Sequence, residues 1–369
     1  MNNSNKNKTV VVAMSGGVDS SVAAALLLEQ GYNVIGVTMK MYNFDEVGGN
    51  VNRESSCCGL DAFNDARMVA VKLGIPHYIL DLSEQFGKEV IDNFVDEYMH
   101  GRTPNPCVIC NTKIKWGELL NKADTLGADY IATGHYARVG FDELNKRYVI
   151  TRGKDTDKDQ TYALWGLKQD ALRRTIFPLG DLTKPEVRQI AAKYELKTAT
   201  KPESFEICFV ADDDYRRFMR ERLAKMNVTI PSGDIMLEGK VTGKHDGIPF
   251  YTIGQRSGIG AHGQRVYVSE IDNKNNIVRI GREANLHHKS LIAGNVNFIS
   301  IEDLDGNMRV HAMVRYKDTL APATVNAEAG GKIRVDFYEP KRAITPGQSL
   351  VMYDGEKLLG GGIIEKIVE

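Results

Sequence analysis

Val10-Val11-Val12-Ala13-Met14-Ser15-Gly16-Gly17-Val18-Asp19-Ser20-Ser21 is the stretch on which the fold turns. Four apolar residues in a row, Val10 to Ala13, suit a central strand covered on both faces. A Gly-Ser turn then leads into Val22, Ala25, Leu26 and Leu28, whose spacing gives a helix a core face. Strand, glycine turn and helix in that order make a place for a mononucleotide phosphate. The glycines let backbone N–H groups approach phosphate oxygens, the helix start supplies partial positive charge, and serine hydroxyls add donors. The loop is not a Walker A motif, and Gly239-Lys240 and Gly243-Lys244 fail that pattern too; the G-x-G-x-x-G fingerprint is also missing. Without the lysine that reaches the β- and γ-phosphates, the loop suits the pyrophosphate half of ATP, with attack at the α-phosphate. The structural alternative is a plain turn that starts a helix, capped by Asp19 or Ser20.

Outward from the loop, Asn33 to Met39, Asp61 to Gly74 and His77 to Asp81 continue the strand–helix–strand alternation, which predicts a parallel α/β sheet. Gly31 is placed to end the first helix. A helix from about Glu84 to Met99, a proline-containing segment from Gly101 to Pro106, a helix to about Leu126 and a strand from Tyr130 to Thr133 follow. This α/β domain is expected over residues 1–202. Between Asp213 and Met226 a helix carries Arg216, Arg217, Arg220, Arg222 and Lys225, with Tyr215, Phe218, Met219 and Leu223 spaced to pack inward. Its basic face is either solvated or meets RNA. From Gly233 onward helical periodicity disappears. Ile277 to Gly281, Ala312 to Tyr316, Lys332 to Phe337 and Ser349 to Tyr353 alternate as barrel strands do. A small central linker domain over 203–283 and a C-terminal β-barrel over 284–369 are expected.

The chain has 369 residues, 47 Lys and Arg against 48 Asp and Glu, and 42% hydrophobic residues. At roughly 100–200 residues per domain it holds two or three. Collagenous, low-complexity and disulfide-scaffold classes are excluded by composition. No run approaches the ~18 apolar residues of a membrane span, and the polar start Met1 to Lys8 lacks a signal-peptide core, so a cytoplasmic protein is expected. Near-zero net charge argues against coating nucleic acid by bulk electrostatics, although local basic stretches can still grip phosphates.

Five cysteines, in a reducing compartment, point to core, metal-binding or catalytic roles. Cys107-Val108-Ile109-Cys110 is a C-x-x-C before a helix, where a thiolate is favoured and Lys113 and Lys115 add positive charge. With the distant Cys208, the residues by themselves allow a redox pair, half a zinc site, an iron–sulfur site or buried core thiols. Cys57 and Cys58 could complete a zinc site, although adjacent residues rarely face one metal.

Ser15 to Ser20 after a strand resembles the loop of the PP-loop ATP pyrophosphatases, with their adenine-nucleotide α-hydrolase-like sheet. Within that group, Gly101 to Pro106, Cys110-Asn111, Ala132 to Tyr136, Lys158 to Gln160, Thr345 to Gln348 and Gly360 to Gly362 are similar to motifs of the bacterial tRNA 2-thiouridylases. The resemblance runs from about Val10 to Ile364. It implies an ATP-dependent sulfurtransferase that adenylates the C2 oxygen of the wobble uridine (U34) of tRNA. A persulfide on Cys208 then supplies sulfur to C2, and Cys110 attacks as nucleophile to leave a Cys110–Cys208 disulfide. It further implies ATP contacts at Ala13, Met14, Ser15, Gly16, Gly17, Val18, Asp19, Ser20, Met39 and Gly134. Asp19 is read as an N-cap first and a Mg2+ ligand second. Asn105, Pro106 and Cys107 would face the target base, and His135, Lys158, Asp159, Gln160, Arg315, Tyr316 and Gln348 would meet tRNA. The implied partners are tRNAs for Lys, Glu and Gln and a sulfur-relay persulfide donor.

Residue 107 departs from the family pattern, which often has an aspartate there as a general base. Either water or another group takes that role, or Cys107, Cys110 and Cys208 together hold a [4Fe–4S] cluster. Two competing classes remain at this level: a PP-loop ligase acting on a small molecule, which leaves the cysteines and the barrel without work, and an ATP-gated RNA-binding module.

Overall fold

The computed structural model describes residues 5–43, 47, 60–201, 207–210 and 212–368. Cys57, Cys58 and the expected domain boundary at Pro202 lie outside the described residues. The chain forms two compact units. The first comprises Met1–Val90, Cys107–Asp214 and Glu356–Leu358; the second comprises Ile91–Pro106, Tyr215–Gly355 and Leu359–Glu369.

The first unit is built on strands β1 (Thr9–Ala13), β2 (Asn33–Lys40), β3 (His77–Asp81), β4 (Tyr130–Ala132) and β7 (Thr175–Ile176) in the order β3-β2-β1-β4-β7, every pairing parallel. β1 is central, and Val10, Val11 and Val12 are fully buried, as an unbroken apolar run requires. Helices α1 (Val18–Glu29), α2 (Leu60–Leu73) and α4 (Lys184–Lys193) share a core with β1 through Val22, Ala24, Leu27, Val69, Val187 and Ala191. The inward face of α1 differs from the expected one: Val22 to Ala25 and Leu27 are buried while Leu28 is exposed. The three alanines are small enough for neighbours to approach α1 on several sides, so burial is not confined to one stripe. Gly31, at φ +86°, follows the helix as its left-handed terminator. A hairpin of β5 (Ala137–Asp142) and β6 (Arg147–Arg152) completes the unit, and Lys357 and Leu358 pair with Thr151 and Ile150 of β6.

The helix expected from about Glu84 to Met99 is interrupted by a π-helical turn at Gly87–Ile91, and its last part, α3 (Asp92–Met99), belongs to the second unit. There α3 packs against α5 (Tyr215–Lys225): the Phe94 and Phe218 rings lie 5.9 Å apart, and Tyr98 stacks on Tyr215 at 4.9 Å. Phe218, Met219 and Leu223 are buried, as their spacing predicts. A four-stranded sheet follows in the order β10-β11-β8-β9, formed by Gly233–Leu237 (β8), Lys240–His245 (β9), Tyr267–Asp272 (β10) and Ile277–Gly281 (β11).

The barrel runs β12-β15-β14-β13-β16-β17 and closes through β12 and β17. Its strands are β12 (His287–Phe298), β13 (Asn307–Met313), β14 (Ala321–Glu328), β15 (Lys332–Arg342), β16 (Ser349–Asp354) and β17 (Lys357–Val368). Alternate residues such as Val310 and Ala312, Ala323 and Val325, and Ile333, Val335 and Phe337 fill the interior. One expected strand stops early. β13 ends at Met313, because the Asp318 carboxylate takes the Val314 N–H at 3.3 Å and Lys317 turns to φ +61°.

Candidate active site

The turn between β1 and α1 is held by its own side chains. Ser15 N–H donates to Ser20 Oγ at 3.1 Å, and the hydroxyls of Ser20 and Ser21 donate to the Gly17 carbonyl at 3.2 and 2.8 Å. Met14 is tied to β2 by its N–H to the Val37 carbonyl at 2.8 Å and by the Thr38 hydroxyl on its own carbonyl at 2.9 Å. Ala13, Met14 and Val18 are buried, while Met39 lies half-buried in β2 opposite Leu80. Gly16 has φ +69°, and a Cβ there would stand 2.2 Å from the Ala62 carbonyl oxygen of α2. Gly134, just past β4, approaches the same turn: a Cβ on it would stand 2.8 Å from Asp19 C and Ser20 N. Only glycine permits that approach. The structure thus gathers Ser15 to Ser20 and Gly134 at the C-terminal ends of β1 and β4, where open parallel sheets hold ligands.

Asp19 is not the helix cap. That position is Gly17, with no side-chain cap hydrogen bond, and Asp19 sits in the first turn. Its carboxylate is bound by Lys184 Nζ at 2.7 Å through each oxygen and receives the Tyr136 hydroxyl at 2.8 Å. Lys184 is buried at the start of α4 and also lies 5.7 Å from the Tyr136 ring centroid. The Tyr136 N–H donates to Gln160 Oε1 at 3.1 Å, so Gln160 extends the chain Asp19–Tyr136. A second lysine, Lys201, donates to the Gly16 carbonyl at 3.2 Å and pairs with Asp65 at 2.6 Å. Sequence reasoning missed Tyr136, Lys184 and Lys201 as loop residues. The one local signal was Thr183-Lys184-Pro185-Glu186, a capping box that makes residue 184 the first of a helix.

The cysteines lie in the same unit. Cys107 is exposed in the helical turn Pro106–Ile109, and Cys110 is half-buried where the chain widens into the π-helical stretch Cys110–Glu118. Asn111 anchors that stretch by donating to the Ala163 carbonyl at 2.9 Å. Cys208 is half-buried, its carbonyl accepts the Tyr42 hydroxyl at 2.6 Å, and the Phe209 ring beside it packs on Phe86 at 5.8 Å.

Other residues expected to meet tRNA divide by burial. His135 is buried between Trp116 and Phe177, and its Nδ1 lies 2.6 Å from the Thr133 hydroxyl. Burial first, and the Lys115 charge second, hold its pKa well below the ordinary value of 6.5, so the ring stays neutral inside the core. The Asp159 carboxylate accepts from Gly153 N–H, Arg152 and the Thr161 hydroxyl at 3.2, 3.3 and 2.8 Å, which commits it to loop structure. Lys158 beside it is half-buried. In the second unit Gln348 donates to the Thr103 and Pro104 carbonyls at 3.2 and 2.9 Å, holding the segment that leads to Asn105 and Pro106. Gly347, at φ +92°, fits beneath it, with the Thr103 oxygen 2.7 Å from where a Cβ would be. Arg315 is half-buried and Tyr316 is 45% exposed at the turn after β13. On α5, Arg216 lies over the Tyr251 ring, Arg220 over Phe250, and Arg222 pairs with Asp92, so this basic face is largely engaged within its own unit.

The metal expectations fit less well. Both oxygens of Asp19 accept from Lys184 Nζ at 2.7 Å, so a cation already stands at this carboxylate. Among the described residues no group of three or more His, Cys, Asp or Glu is placed to hold a metal ion. Cys107, Cys110 and Cys208 therefore do not form the three-thiolate set that a [4Fe–4S] cluster needs. Among the described residues, too, no helix is long and apolar enough to cross a membrane.

Three family models match consecutive parts of the chain: a tRNA methyl transferase HUP domain over residues 8–212, a tRNA methyl transferase PRC-barrel domain over 216–282 and an aminomethyltransferase β-barrel domain over 288–364. The chain is 50% identical over 365 residues to the tRNA-specific 2-thiouridylase MnmA of Salinibacter ruber, covering 98% of this chain and 95% of that protein. It is 51% identical over 357 residues to the protein of the same name from Pelotomaculum thermopropionicum, covering 96% and 97%. The corresponding Clostridioides difficile protein is 48% identical over 362 residues, covering 98% and 99%.

Proposed function

The chain belongs to the tRNA-specific 2-thiouridylase family, and on that premise we propose how its residues carry out ATP-dependent 2-thiolation of a tRNA uridine. The observation that carries the reading is the loop from Ser15 to Ser20, closed over by Gly134 and placed in the same unit as Cys110 and Cys208. Its backbone N–H groups bind the phosphates of ATP, and magnesium enters with the nucleotide. The C2 oxygen of the wobble uridine attacks the α-phosphorus and pyrophosphate leaves. The terminal sulfur of a Cys208 persulfide then bonds to C2, and AMP departs with the former C2 oxygen. Cys110 thiolate attacks Cys208 Sγ, breaking the persulfide S–S bond and leaving a Cys110–Cys208 disulfide for a reductant.

Lys158, Arg315 and Tyr316 are assigned to tRNA contact, with Asn105 and Pro106 facing the target base. His135, Asp159, Gln160 and Gln348 act by positioning these segments. The domain limits of this reading are 1–202, 203–283 and 284–369. Its partners are the Lys, Glu and Gln tRNAs and a persulfide donor of the cytoplasm.

The test is mass spectrometry of anticodon nucleosides after incubation with tRNA, ATP, magnesium and a persulfide donor. 2-Thiouridine should form at the wobble position together with AMP and pyrophosphate, and Cys208→Ser should abolish it while tRNA binding persists. Undiminished 2-thiouridine from Cys208→Ser would overturn the persulfide assignment. ATP cleavage to AMP that tRNA does not stimulate would overturn the choice of substrate.

A further inference from the structure

Cys107 is the thiol that the reaction above leaves unused, and its placement beside the nucleophile is specific. Val108 and Asn111, three residues apart, point into the core, each 2% exposed. Cys107, in the turn Pro106–Ile109, and Cys110, at the start of the π-helical stretch that continues it, form the neighbouring row shifted outward: the first is exposed and the second half-buried. Residues three apart in a helix have Cα atoms about 5 Å apart, inside the ~4.4–6.8 Å range that a disulfide spans. Cys208 is itself half-buried, its backbone tied by the Tyr42 hydroxyl at 2.6 Å and its neighbour Phe209 fixed in the core. A disulfide between the two half-buried thiols is shielded from a protein-sized reductant. Exchange with the exposed thiol one turn away brings it to the surface.

We propose that Cys107 is the resolving thiol of the catalytic cycle, a role that rests on the Cys110–Cys208 disulfide proposed above. Cys107 thiolate attacks Cys110 Sγ, the Cys110–Cys208 bond breaks, and Cys208 leaves as a thiolate ready to accept the next persulfide sulfur. The oxidation is carried unchanged in the new Cys107–Cys110 disulfide, and an external dithiol, a thioredoxin-type protein, reduces it by two electrons. Thiol exchange thus separates sulfur loading at Cys208 from reduction at the helix turn.

The experiment loads the full-length protein with persulfide, adds tRNA and ATP without reductant, quenches in acid, alkylates and maps the cysteines by peptide mass spectrometry. In the native protein the peptide from Thr103 to Lys113 should be unalkylated and lighter by two hydrogens, the mark of a Cys107–Cys110 bond. In Cys107→Ser and Cys107→Ala the cross-linked species should instead join Cys110 to Cys208. With a thioredoxin-type reductant these variants should form one 2-thiouridine per enzyme and then slow by about ten-fold or more, and a high concentration of a small dithiol should restore turnover. A packing defect would not respond to the size of the reductant. The proposal is overturned if the native protein accumulates Cys110–Cys208 and both variants turn over with the protein reductant as fast as the native enzyme. If 2-thiouridine forms with no disulfide at Cys110 in any of the proteins, the Cys110–Cys208 reading fails and the resolving role falls with it.

Discussion

Lys184 meets Asp19 across 165 positions of sequence, through two contacts of 2.7 Å, and holds the first turn of α1 against the start of α4. The lysine side chain is 9% exposed and the aspartate 33%, so removing the cation strands a partly desolvated carboxylate at the phosphate loop. Lys184→Met is expected to destabilise the protein toward the lower end of about 3–5 kcal/mol. It should also slow tRNA-dependent pyrophosphate release by on the order of 100-fold, as losing a fixed charge at a phosphate site does. Thermal unfolding and a pyrophosphate assay check the two effects, and Lys184→Arg should recover part of the stability. His135 makes a pH prediction. Its folded pKa lies below the unfolded 6.5, so the unfolded chain binds more protons as pH falls through 6.5. Stability should therefore decline below about pH 6.5, and in urea titrations His135→Phe should flatten that decline. The histidine was legible in the sequence as a site residue but its direction was not, since burial between Trp116 and Phe177 depends on chain segments far from it.

At the scale of elements, the strand–turn–helix of β1 and α1 was legible because apolar runs, glycine and small polar residues are local signals. What was not legible is how near the other elements come. The end of β4 reaches the start of α1 because Gly134 carries no side chain, and α2 reaches the turn because Gly16 carries none. Gly134→Ala forces a Cβ within 2.8 Å of two backbone atoms, which cannot yield as a flexible side chain would. We expect a loss of about 1–3 kcal/mol from overpacking and a rise in the KM for ATP larger than the fall in kcat; steady-state kinetics in ATP separate the two. The π-helical turns at Gly87–Ile91 and Cys110–Glu118 were invisible to pattern reading. The difference between a wide turn and an ordinary one lies in packing, whereas hydrophobic spacing over nine residues reads the same for both. The cap of α4 is different: Thr183 and Glu186 spell a capping box, and Lys154 with the Thr183 bonds holds the Glu186 carboxyl down to about 2.

The whole molecule is discontinuous along the chain. Residues 356–358 belong to the first unit although 215–355 and 359–369 belong to the second, and Leu358 is fully buried opposite the equally buried Ile150. A fragment ending at Asp214 loses that strand piece together with the Lys357–Asp142 ion pair at 3.0 Å. It should be less stable by at least the ~1.5–3 kcal/mol of one buried leucine, and it should bind a hydrophobic dye that the full chain does not; melting and dye fluorescence of the fragment against the full chain measure this. Taken alone, the amino-acid order determined the central strand, the phosphate loop, the parallel sheet, the barrel and the family, because each is written in neighbouring residues or in an unbroken motif. Only the tertiary structure decided that Asp19 is held by Lys184 instead of capping its helix, that His135 is a core residue and that Cys107 stands exposed beside Cys110. It also decided that the three thiols do not assemble a metal site. Those outcomes depend on burial and on pairs of side chains tens to hundreds of positions apart, and no local periodicity encodes such separations.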